Sequence, residues 1–366
     1  MSEDEIAPLR SGKAWAEFCD AIRRAGDVVL REASPRDPLD VAEGYRYVAR
    51  ILRLALEQQL ENSDALVPRF QRGLSETIKL GNDNPDQVPL LAALDGRHEY
   101  RIRGRRGTVA YLSFGTYLGG DYGRSGRSGC SGSLDAADLA VEADGRFEIA
   151  VACERRPGNW LPMEPDTNQL IVRQTRLRPS ETLAELAIER LGAQGPPRPL
   201  DAAELQRRLA AAARYVHGSV NVFADWAEAF AAHPNELRPL DEAVKLGAHG
   251  DPRIHYLNGY WTLGPDEALL LEFTPPACDY WSFQLNNYWL ESLDYRYHRI
   301  ALNKASAAPE PDGSVRIAVA HADPGLPNWI ETAGHRHGTM VLRFINAAEH
   351  PRPRCRALAF DALRRG

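Results

Sequence analysis

The chain carries the same short patterns twice in the same order, and this repeat constrains its fold more than any other feature. The members of four matched pairs are separated by 169, 168, 169 and 170 residues. A repeat that keeps its order predicts a duplicated structural unit of roughly eighty residues. The pairs are Tyr111-Leu-Ser-Phe114 with Tyr280-Trp-Ser-Phe283, DGRFEIAVA with DGSVRIAVA, Asn159-Trp160 with Asn328-Trp329, and the apolar residues around Arg173 with those around Arg343.

Each copy contains a segment in which apolar and polar residues alternate. The apolar positions are Phe147, Ile149 and Val151 in the first copy and Val315, Ile317 and Val319 in the second. Period two with one apolar face predicts strands that pack against a core on one side. We therefore expect each copy to be an antiparallel β-sandwich or jelly-roll-like unit with Gly and Pro turns.

Helical patterns precede the first copy and separate the two copies. Asp40 is suited to cap a helix that extends to Leu60, and a weaker helical pattern covers residues 11–32. Between the copies, capping boxes at Thr182 and Asp201 predict helices over TLAELAIERL and ELQRRLAAAARYV, with a further helix through Trp226.

These patterns predict a mainly β protein with helical additions, an α+β class. The expected order is a helical N-terminal region (1–80), a first β unit (81–179), a helical linker (180–250) and a second β unit (251–366). GNDNPD, which begins at Gly81, is dense in turn-forming residues and predicts an Asx turn that leads into the first sheet.

Composition excludes several classes of function. Lys and Arg number 44 against 50 Asp and Glu, a net charge of −6, so we expect no binding to nucleic acid. An acidic N-terminus and the lack of a long apolar run predict a cytoplasmic protein that does not bind membranes. The five cysteines are scattered and never CxxC-spaced, which indicates reduced thiols.

The chain contains several long and unusual motifs: AEGYRYVAR, GNDNPD, EYRIRGRRGT, PDEALLLEF, YWSFQLNNYW, SLDYRYH and DPGLPNWIETAGHRHGTM. These motifs resemble the bacterial family grouped as domain of unknown function 1214, often preceded by a companion N-terminal region. The resemblance is densest over residues 251–363 and extends back to about Ala42. It implies a jelly-roll β-sandwich with helical additions. No reaction is established for the family, so the resemblance does not imply an activity.

The string SLDYRYH contains groups suited to proton transfer. In an extended conformation Asp294, Arg296 and His298 would face the same side. His298 would be the general base, Asp294 its orienting carboxylate, and Arg296 the holder of an anion. His321 or His337, which the first copy lacks, would be the acid. The first hypothesis is therefore a hydrolase or lyase that acts on a small hydroxylated or ring-containing molecule.

The aromatic and amide residues of YWSFQLNNYW suit a ligand pocket. Trp281 and Phe283 are expected in the core. Mixed aromatics and amides suit a ligand with an apolar body and hydroxyl or carbonyl groups. The second hypothesis is a non-catalytic small-molecule-binding or accessory protein that uses the same surface. The substrate-binding candidates are Asn286, Asn287, Tyr288, Tyr295 and Asp323.

A third hypothesis is a metal-dependent enzyme centred on His335 and His337. Two histidines one residue apart on a strand can present both imidazoles to a divalent metal, but the carboxylate expected shortly afterwards is missing from GHRHGTM. Asp323 and Glu331 are the available substitutes. No nucleotide-binding motif is present, so no organic cofactor is predicted.

Residues shared by both copies are expected to be structural. The Asn-Trp pairs suit turn closure and core filling, and Arg173 and Arg343 are expected to be buried partners of Asp144 and Asp312. Sandwich units with aromatic faces often pair, so we also expect a homo-oligomer.

Overall fold

In the computed structural model, which describes residues 3–120, 122, 126–192 and 199–363, two β-sandwiches follow one another along the chain. Within these residues each sandwich has nine strands. The first comprises β1 (Gln71–Arg72), β2 (Gln87–Ala93), β3 (Tyr100–Arg105), β4 (Tyr111–Leu118), β5 (Gly129–Asp135), β6 (Arg146–Ala152), β7 (Trp160–Pro162), β8 (Gln169–Thr175) and β9 (Glu185–Arg190). The second comprises β10 (Glu236–Pro239), β11 (Ile254–Thr262), β12 (Glu267–Phe273), β13 (Tyr280–Leu285), β14 (Ala301–Asn303), β15 (Val315–Ala320), β16 (Trp329–Glu331), β17 (His337–Ile345) and β18 (Arg354–Ala359).

Both sandwiches contain a five-stranded and a four-stranded sheet with the same strand order. The five-stranded sheets run β1-β2-β8-β4-β5 and β10-β11-β17-β13-β14. The four-stranded sheets run β7-β6-β3-β9 and β16-β15-β12-β18, with one parallel pair at the equivalent edge of each. The predicted duplication and the predicted mainly β class with helical additions are therefore confirmed.

The core of each sandwich lies between its two sheets. Phe114 and Ile149 belong to the first core, and Phe283 and Ile317 belong to the second. All four side chains are fully buried. Burying a side chain of this size contributes about 1.5–3 kcal/mol to stability. Trp281 belongs to the second core, so the core position predicted for it and for Phe283 is confirmed.

The duplicated Asn-Trp pairs close equivalent turns. Asn159 exchanges hydrogen bonds with the main chain of Ala140, and Asn328 does the same with Ala308. The indole that follows each asparagine donates to a carbonyl oxygen of the neighbouring strand, at 3.1 Å in both copies. The structural role predicted for these pairs is confirmed.

Helices precede the first sandwich, separate it from the second and, in one short case, follow the second. Their bounds are α1 (Glu3–Arg10), α2 (Lys13–Gly26), α3 (Pro38–Leu56), α4 (Ala202–Ala231), α5 (Glu242–Gly247) and α6 (Phe360–Leu363), with short 3-10 turns at Asp27–Leu30 and Ala136–Asp138 and a π turn at Glu57–Glu61. Tyr47 of α3, Val216 of α4 and Trp289 of the second sandwich belong to one buried cluster, so this helical layer is fixed to the second copy.

Three expectations about helices need correction. Asp37, not Asp40, caps α3, because its carboxylate accepts the N–H of Leu39 at 3.0 Å. Asp201 caps α4 as predicted, but the helix continues through Trp226, so one helix replaces the two expected.

The helix predicted for TLAELAIERL is wrong, because residues 185–190 form β9 at the edge of the first four-stranded sheet. In that strand the more buried Leu186 and Ile188 alternate with exposed neighbours. An alternation this short fits a strand as well as a helix face, and pairing with β3 selects the strand. Among the described residues, no helix is both long and apolar enough to cross a lipid bilayer.

Candidate functional site

The two five-stranded sheets meet through the faces that point away from their own cores. Tyr111 of β4, Tyr280 of β13 and Ile345 of β17 form a single buried cluster there. A lead-in segment precedes each sandwich: residues 80–86 form the first lead-in segment, before β2, and residues 247–253 form the second, before β11. Both segments run through the contact between the sandwiches.

Each lead-in segment forms hydrogen bonds with the opposite sandwich. The Asp83 carboxylate accepts hydrogen bonds from the main chain and hydroxyl of Ser292, at 2.8 and 2.7 Å. The Asp251 carboxylate accepts from the hydroxyls of Tyr111 and Ser113, at 3.0 and 2.6 Å. The two segments therefore cross over and hold the two copies together.

The duplicated arginines lie where the segments cross. Arg173 donates from Nη2 to the carbonyl oxygen of His249 at 2.5 Å, and Arg343 donates from Nη2 to that of Asn82 at 2.9 Å. His249 and Asn82 both adopt a left-handed backbone, with φ of 61° and 63°. Each arginine thus binds the lead-in segment of the other copy.

The carboxylate partners expected for these arginines are wrong. Asp144 and Asp312 instead accept the N–H of the residue two positions later in their own turns. The acceptors that lie closest to both guanidinium groups are neutral. Arg173 also bonds the hydroxyl of Tyr117, and its nearest carboxylate, Asp251, is 3.9 Å away.

A cavity of about 170 Å³ opens at this crossing and is lined by residues of both copies. We call it the inter-repeat cavity. Such a volume has room for on the order of ten water molecules, or for one small organic molecule. Its apolar wall includes Leu80, Leu91, Ile171, Phe223 and Trp226, and its polar wall includes Asn82, Asp83, Arg173, Lys245, Asn258 and Arg343. A second, more polar cavity of about 490 Å³ adjoins it and shares Gln58, Gln169 and His249 with it.

Buried amides connect Arg343 to the wall of the inter-repeat cavity. Arg343 donates to Gln284 Oε1 at 2.6 Å, and Gln284 Nε2 donates to Asn286 Oδ1 at 2.7 Å. Asn286 Nδ2 then donates to Asn82 Oδ1 at 2.7 Å, and Asn82 Nδ2 donates to Asn258 Oδ1 at 2.8 Å. Within the described residues Asn258 Nδ2 is buried and has no hydrogen-bond partner.

The charged side chains that line the cavity are mostly cationic. Arg173, Lys245 and Arg343 line it together with one carboxylate, Asp83, and all four are buried. Burial raises the pKa of Asp83, although the nearby cations Lys79 and Arg343 oppose this shift. Among the described side chains that line the cavity, buried cations therefore outnumber carboxylates, although Glu242 pairs with Lys245 at 2.6 Å from outside the lining.

His249 contributes no charge to this wall at neutral pH. Burial, with the charge of Arg173, lowers the pKa of its imidazole to about 4, against a hydrogen bond to Leu118 that raises it. Its Nε2 lies 3.0 Å from the carbonyl oxygen of Leu118, so the neutral ring donates there.

The extended segment predicted for SLDYRYH is wrong, because residues 295–297 form a turn. Arg296 folds back onto Asp294 with two hydrogen bonds of 2.8 and 2.6 Å, and these bonds lower the pKa of Asp294 to about 2. His298 points elsewhere and lies 3.0 Å from Glu331. The predicted base and its predicted orienting carboxylate are therefore not paired.

The other predicted histidines have separate partners. His321 lies within hydrogen-bond distance of Thr332 Oγ1 and of the carbonyl oxygen of Gly264. His335 and His337 each meet a different carboxylate of helix α3, Glu43 at 3.0 Å and Asp40 at 3.2 Å. These two contacts dock the helical layer onto the second sandwich.

The metal hypothesis lacks a ligand set in the part of the chain that the structure describes. No group of three or more His, Cys, Asp or Glu side chains there is arranged to hold a metal ion. His337 bonds the hydroxyl of Tyr260 through Nδ1 and approaches Asp40 through Nε2, so both ring nitrogens are engaged.

The amide and tyrosine candidates are buried contacts. Asn286 belongs to the amide chain behind the cavity wall, and Asn287 bonds Glu291 at 3.1 Å. The hydroxyl of Tyr288 donates to the carbonyl oxygen of Ala33.

The remaining two candidates lie at the surface or beside it. Tyr295 lies under the ammonium of Lys79, and Asp323 accepts a main-chain N–H in an exposed turn. None of the residues predicted to be catalytic or substrate-binding is among the described residues that line the two larger cavities.

The sequence reasoning missed Asn258, Lys245, His249 and the site role of the two arginines. The available signal was an arginine within an apolar strand, QLIVRQT and MVLRFI, at the same repeat position in both copies. Arginine is rarely buried unless it has hydrogen-bonding partners. An arginine at the same buried position of both copies therefore indicated a polar contact there.

Comparison with known proteins agrees with the duplication. The profile of the family described as "Protein of unknown function (DUF1214)" matches residues 91–177 and 263–349, one match in each sandwich. The chain is similar to a crystal structure of a putative uncharacterized protein from Burkholderia cenocepacia, with 48% identity, 98% of this chain and 99% of that chain covered, and a TM-score of 0.95.

A more distant likeness concerns the fold alone. The VPA0106 protein from Vibrio parahaemolyticus is 13% identical, with 92% of this chain and 100% of that chain covered and a TM-score of 0.51. No curated protein matches the chain.

Proposed function

Because the chain belongs to the DUF1214 family and carries that domain twice, we propose that it binds a small organic molecule in the inter-repeat cavity. The observation that carries this proposal is the cavity itself, which is lined by buried charged and amide side chains of both copies. Concave sites with an apolar wall and a few convergent polar groups are the usual form of small-molecule sites.

The two walls suggest the general chemistry of the ligand. Phe223 and Trp226 of helix α4 offer a flat apolar surface, while Arg343 and Asn258 offer hydrogen-bond donors. A ligand with an apolar body and carbonyl or hydroxyl oxygens fits this combination. Binding without turnover is the primary proposal, because the imidazole Nε2 of His249 and both oxygens of Asp83 are engaged by Leu118 and Ser292.

Acid/base catalysis by a hydrolase or lyase is the alternative proposal. It would use His298, Asp294 and Arg296, which lie at an exposed turn, with His321 or His337 as the acid. A cytoplasmic location also belongs to the proposal and is supported by the five unpaired cysteines. Assembly into a homo-oligomer stays a prediction.

A thermal-shift screen of small organic molecules, with variants that block the cavity, tests the binding proposal. Leu240 lines the inter-repeat cavity, so Leu240→Trp should fill part of it. Leu326 is also half-buried but lies in a loop outside both larger cavities, so Leu326→Trp is the matched control. Compounds that stabilise the wild type should stabilise Leu326→Trp but not Leu240→Trp. Failure of every compound, or equal shifts in both variants, would contradict the proposal.

A further inference from the structure

We propose that the inter-repeat cavity selects a small carboxylate with a flat apolar body, and that Asn258 Nδ2 donates a hydrogen bond to the carboxylate. This inference rests on the proposed ligand-binding function and specifies its ligand class. Three features of the cavity support it: the direction of the amide chain, the charges of the wall and a difference between the two copies.

The direction of the amide chain is fixed by Arg343. The oxygen and nitrogen of a side-chain amide are usually assigned from their neighbours, but a guanidinium group can only donate. Gln284 must therefore present its oxygen to Arg343 and its nitrogen to Asn286, and the same order passes to Asn82 and then to Asn258.

The last amide in the chain consequently presents a donor. Asn258 uses its oxygen to accept from Asn82, which leaves Nδ2 buried without a partner among the described residues. A buried donor without an acceptor is costly, and a chain of hydrogen bonds polarises each member in the same direction. A ligand that supplies an acceptor at this position relieves that cost.

The charges of the cavity wall favour an acceptor that is negatively charged. Arg173, Lys245 and Arg343 line the cavity, and the one carboxylate there, Asp83, directs both oxygens to Ser292. Among the residues that the structure describes, the hydrogen-bond acceptors of Arg343 are all neutral: Ser282, Gln284 and the main chain of Asn82.

Acidic groups behind the wall offset part of this charge but already have partners. Glu242 lies 2.6 Å from the ammonium of Lys245. Asp251 faces Arg173 at 3.9 Å and accepts from Tyr111, while Asp86 accepts from Tyr280 and Asn303. An anion in the cavity would therefore face the donors of the lining cations, while these carboxylates already accept hydrogen bonds from other residues.

The two copies differ at the position of Asn258, and this difference orients the ligand. Tyr256 lies opposite Arg343, as Pro89 lies opposite Arg173, so Asn258 corresponds to Leu91 of the first copy. Leu91 and the adjacent Ile171 make that side of the cavity apolar. The carboxylate is thus expected at the second copy, with the apolar body directed toward the first.

Three probes that share a ring test the inference: benzoate, benzyl alcohol and benzylammonium. Their dissociation constants for the full-length protein are to be measured by isothermal titration calorimetry at neutral pH. Benzoate should bind most tightly and benzylammonium least, because the first supplies a charged acceptor and the last supplies only donors.

Two substitutions at one position separate recognition from folding. Asn258→Asp keeps the oxygen that accepts from Asn82 but replaces the donor with a carboxylate, and it should weaken benzoate binding about tenfold or more. Asn258→Leu reproduces the first copy and should abolish the preference for benzoate over benzyl alcohol. Asn221→Asp makes the same charge change on helix α4, away from both cavities, and should leave benzoate binding unchanged.

The outcomes distinguish this inference from the function on which it rests. If compounds bind in the cavity but benzylammonium binds as tightly as benzoate, or Asn258→Asp leaves the benzoate constant unchanged, the carboxylate inference is overturned and the binding site stands. If the probes and the compound screen both yield no binding, the two proposals fail together. Tight benzoate binding that Asn258→Asp abolishes, with Asn221→Asp unaffected, supports the inference.

Discussion

Arg343, in the last long strand of the second sandwich, donates a hydrogen bond of 2.9 Å to the main-chain oxygen of Asn82, which precedes the first sandwich. The equivalent bond of the first copy runs from Arg173 to the main chain of His249. The duplication therefore produced more than two copies of a sandwich. It produced a reciprocal contact with a cavity at its centre, and both arginines line that cavity.

Removing the charge of Arg343 should destabilise the fold strongly. Arg343→Met keeps much of the side-chain length but leaves Gln284 Oε1 and the Asn82 carbonyl without their buried donor. We expect a loss of about 3 kcal/mol in the free energy of unfolding, measured by urea denaturation. Arg354→Met, at an exposed position of β18, is the control and should change stability by less than about 0.5 kcal/mol. Equal effects of the two substitutions would contradict the role given to Arg343.

Replacing a turn asparagine with aspartate should destabilise the fold, although the two side chains have nearly the same shape. In Asn328 the Nδ2 group donates to two main-chain carbonyl oxygens, and Oδ1 accepts one N–H. Asn328→Asp keeps the acceptor but turns an oxygen toward those carbonyls, so it should destabilise at least as much as Asn328→Ala, by about 1–3 kcal/mol. Thermal or chemical unfolding of the two variants checks this. The same order is expected at Asn159, and a neutral effect of the aspartate at either position would contradict the account.

The contact between helix α3 and β17 should make stability depend on pH. Burial opposes both charged forms, but the mutual hydrogen bond and charge prevail, so the pKa of His335 lies above its usual 6.5 and that of Glu43 lies below its usual 4.5. Because the pKa of His335 is raised in the folded state, the protonated imidazole stabilises the fold below about pH 6.5. This stabilisation is lost as pH rises through the pKa of the folded state. Because the pKa of Glu43 is lowered in the folded state, the ionised carboxylate stabilises the fold above about pH 4.5. This stabilisation is lost as pH falls through the pKa of the folded state.

Glu43→Gln isolates this contribution. Arg46 and Asn287 also interact with Glu43, so one part of the difference from the wild type is expected not to vary with pH wherever Glu43 is ionised, above about pH 4.5. In addition, the difference in the free energy of unfolding should be greatest between about pH 4.5 and 6.5 and should shrink toward pH 9. Urea denaturation at several pH values measures it, and a difference that does not vary with pH would contradict the pairing.

The residues first expected to be catalytic should not affect ligand binding in the inter-repeat cavity. His298 pairs with Glu331 and His321 with Thr332, away from both larger cavities. We therefore expect His298→Ala and His321→Ala to bind benzoate as tightly as the wild type in calorimetry. A tenfold loss in either variant would place the site in the second sandwich instead.

The sequence predicted the duplication well because strand alternation and turn residues are local signals. Phe147 and Val315 lie on equivalent strands, and the capping role of Asp201 depended only on its neighbours. Local signals failed where the same sequence is compatible with both a helix and a strand. Leu186 and Ile188 suit a helix face or an edge strand, and only pairing with β3 decides between them.

Apart from the duplicated arginines, the residues of the candidate site could not be predicted, because they come together only through the crossed lead-in segments. GNDNPD does form the expected turn, with the N–H of Asp86 bonded to Asn84 Oδ1 at 3.0 Å. Its contacts with the opposite sandwich, such as Asn82 with Asn258, span 176 residues and leave no periodic trace. The polar residues that begin at Asp294 are close together in sequence because Asp294 and Arg296 bond to each other within one turn, and this local pattern was easily noticed.

The most direct test of the central claim is a crystal structure of the protein grown with a saturating concentration of benzoate. The account predicts density for the ring between Leu91 and Phe223, with a carboxylate oxygen within about 3 Å of Asn258 Nδ2. A cavity that holds only water while benzoate occupies another site, or is absent, would contradict it.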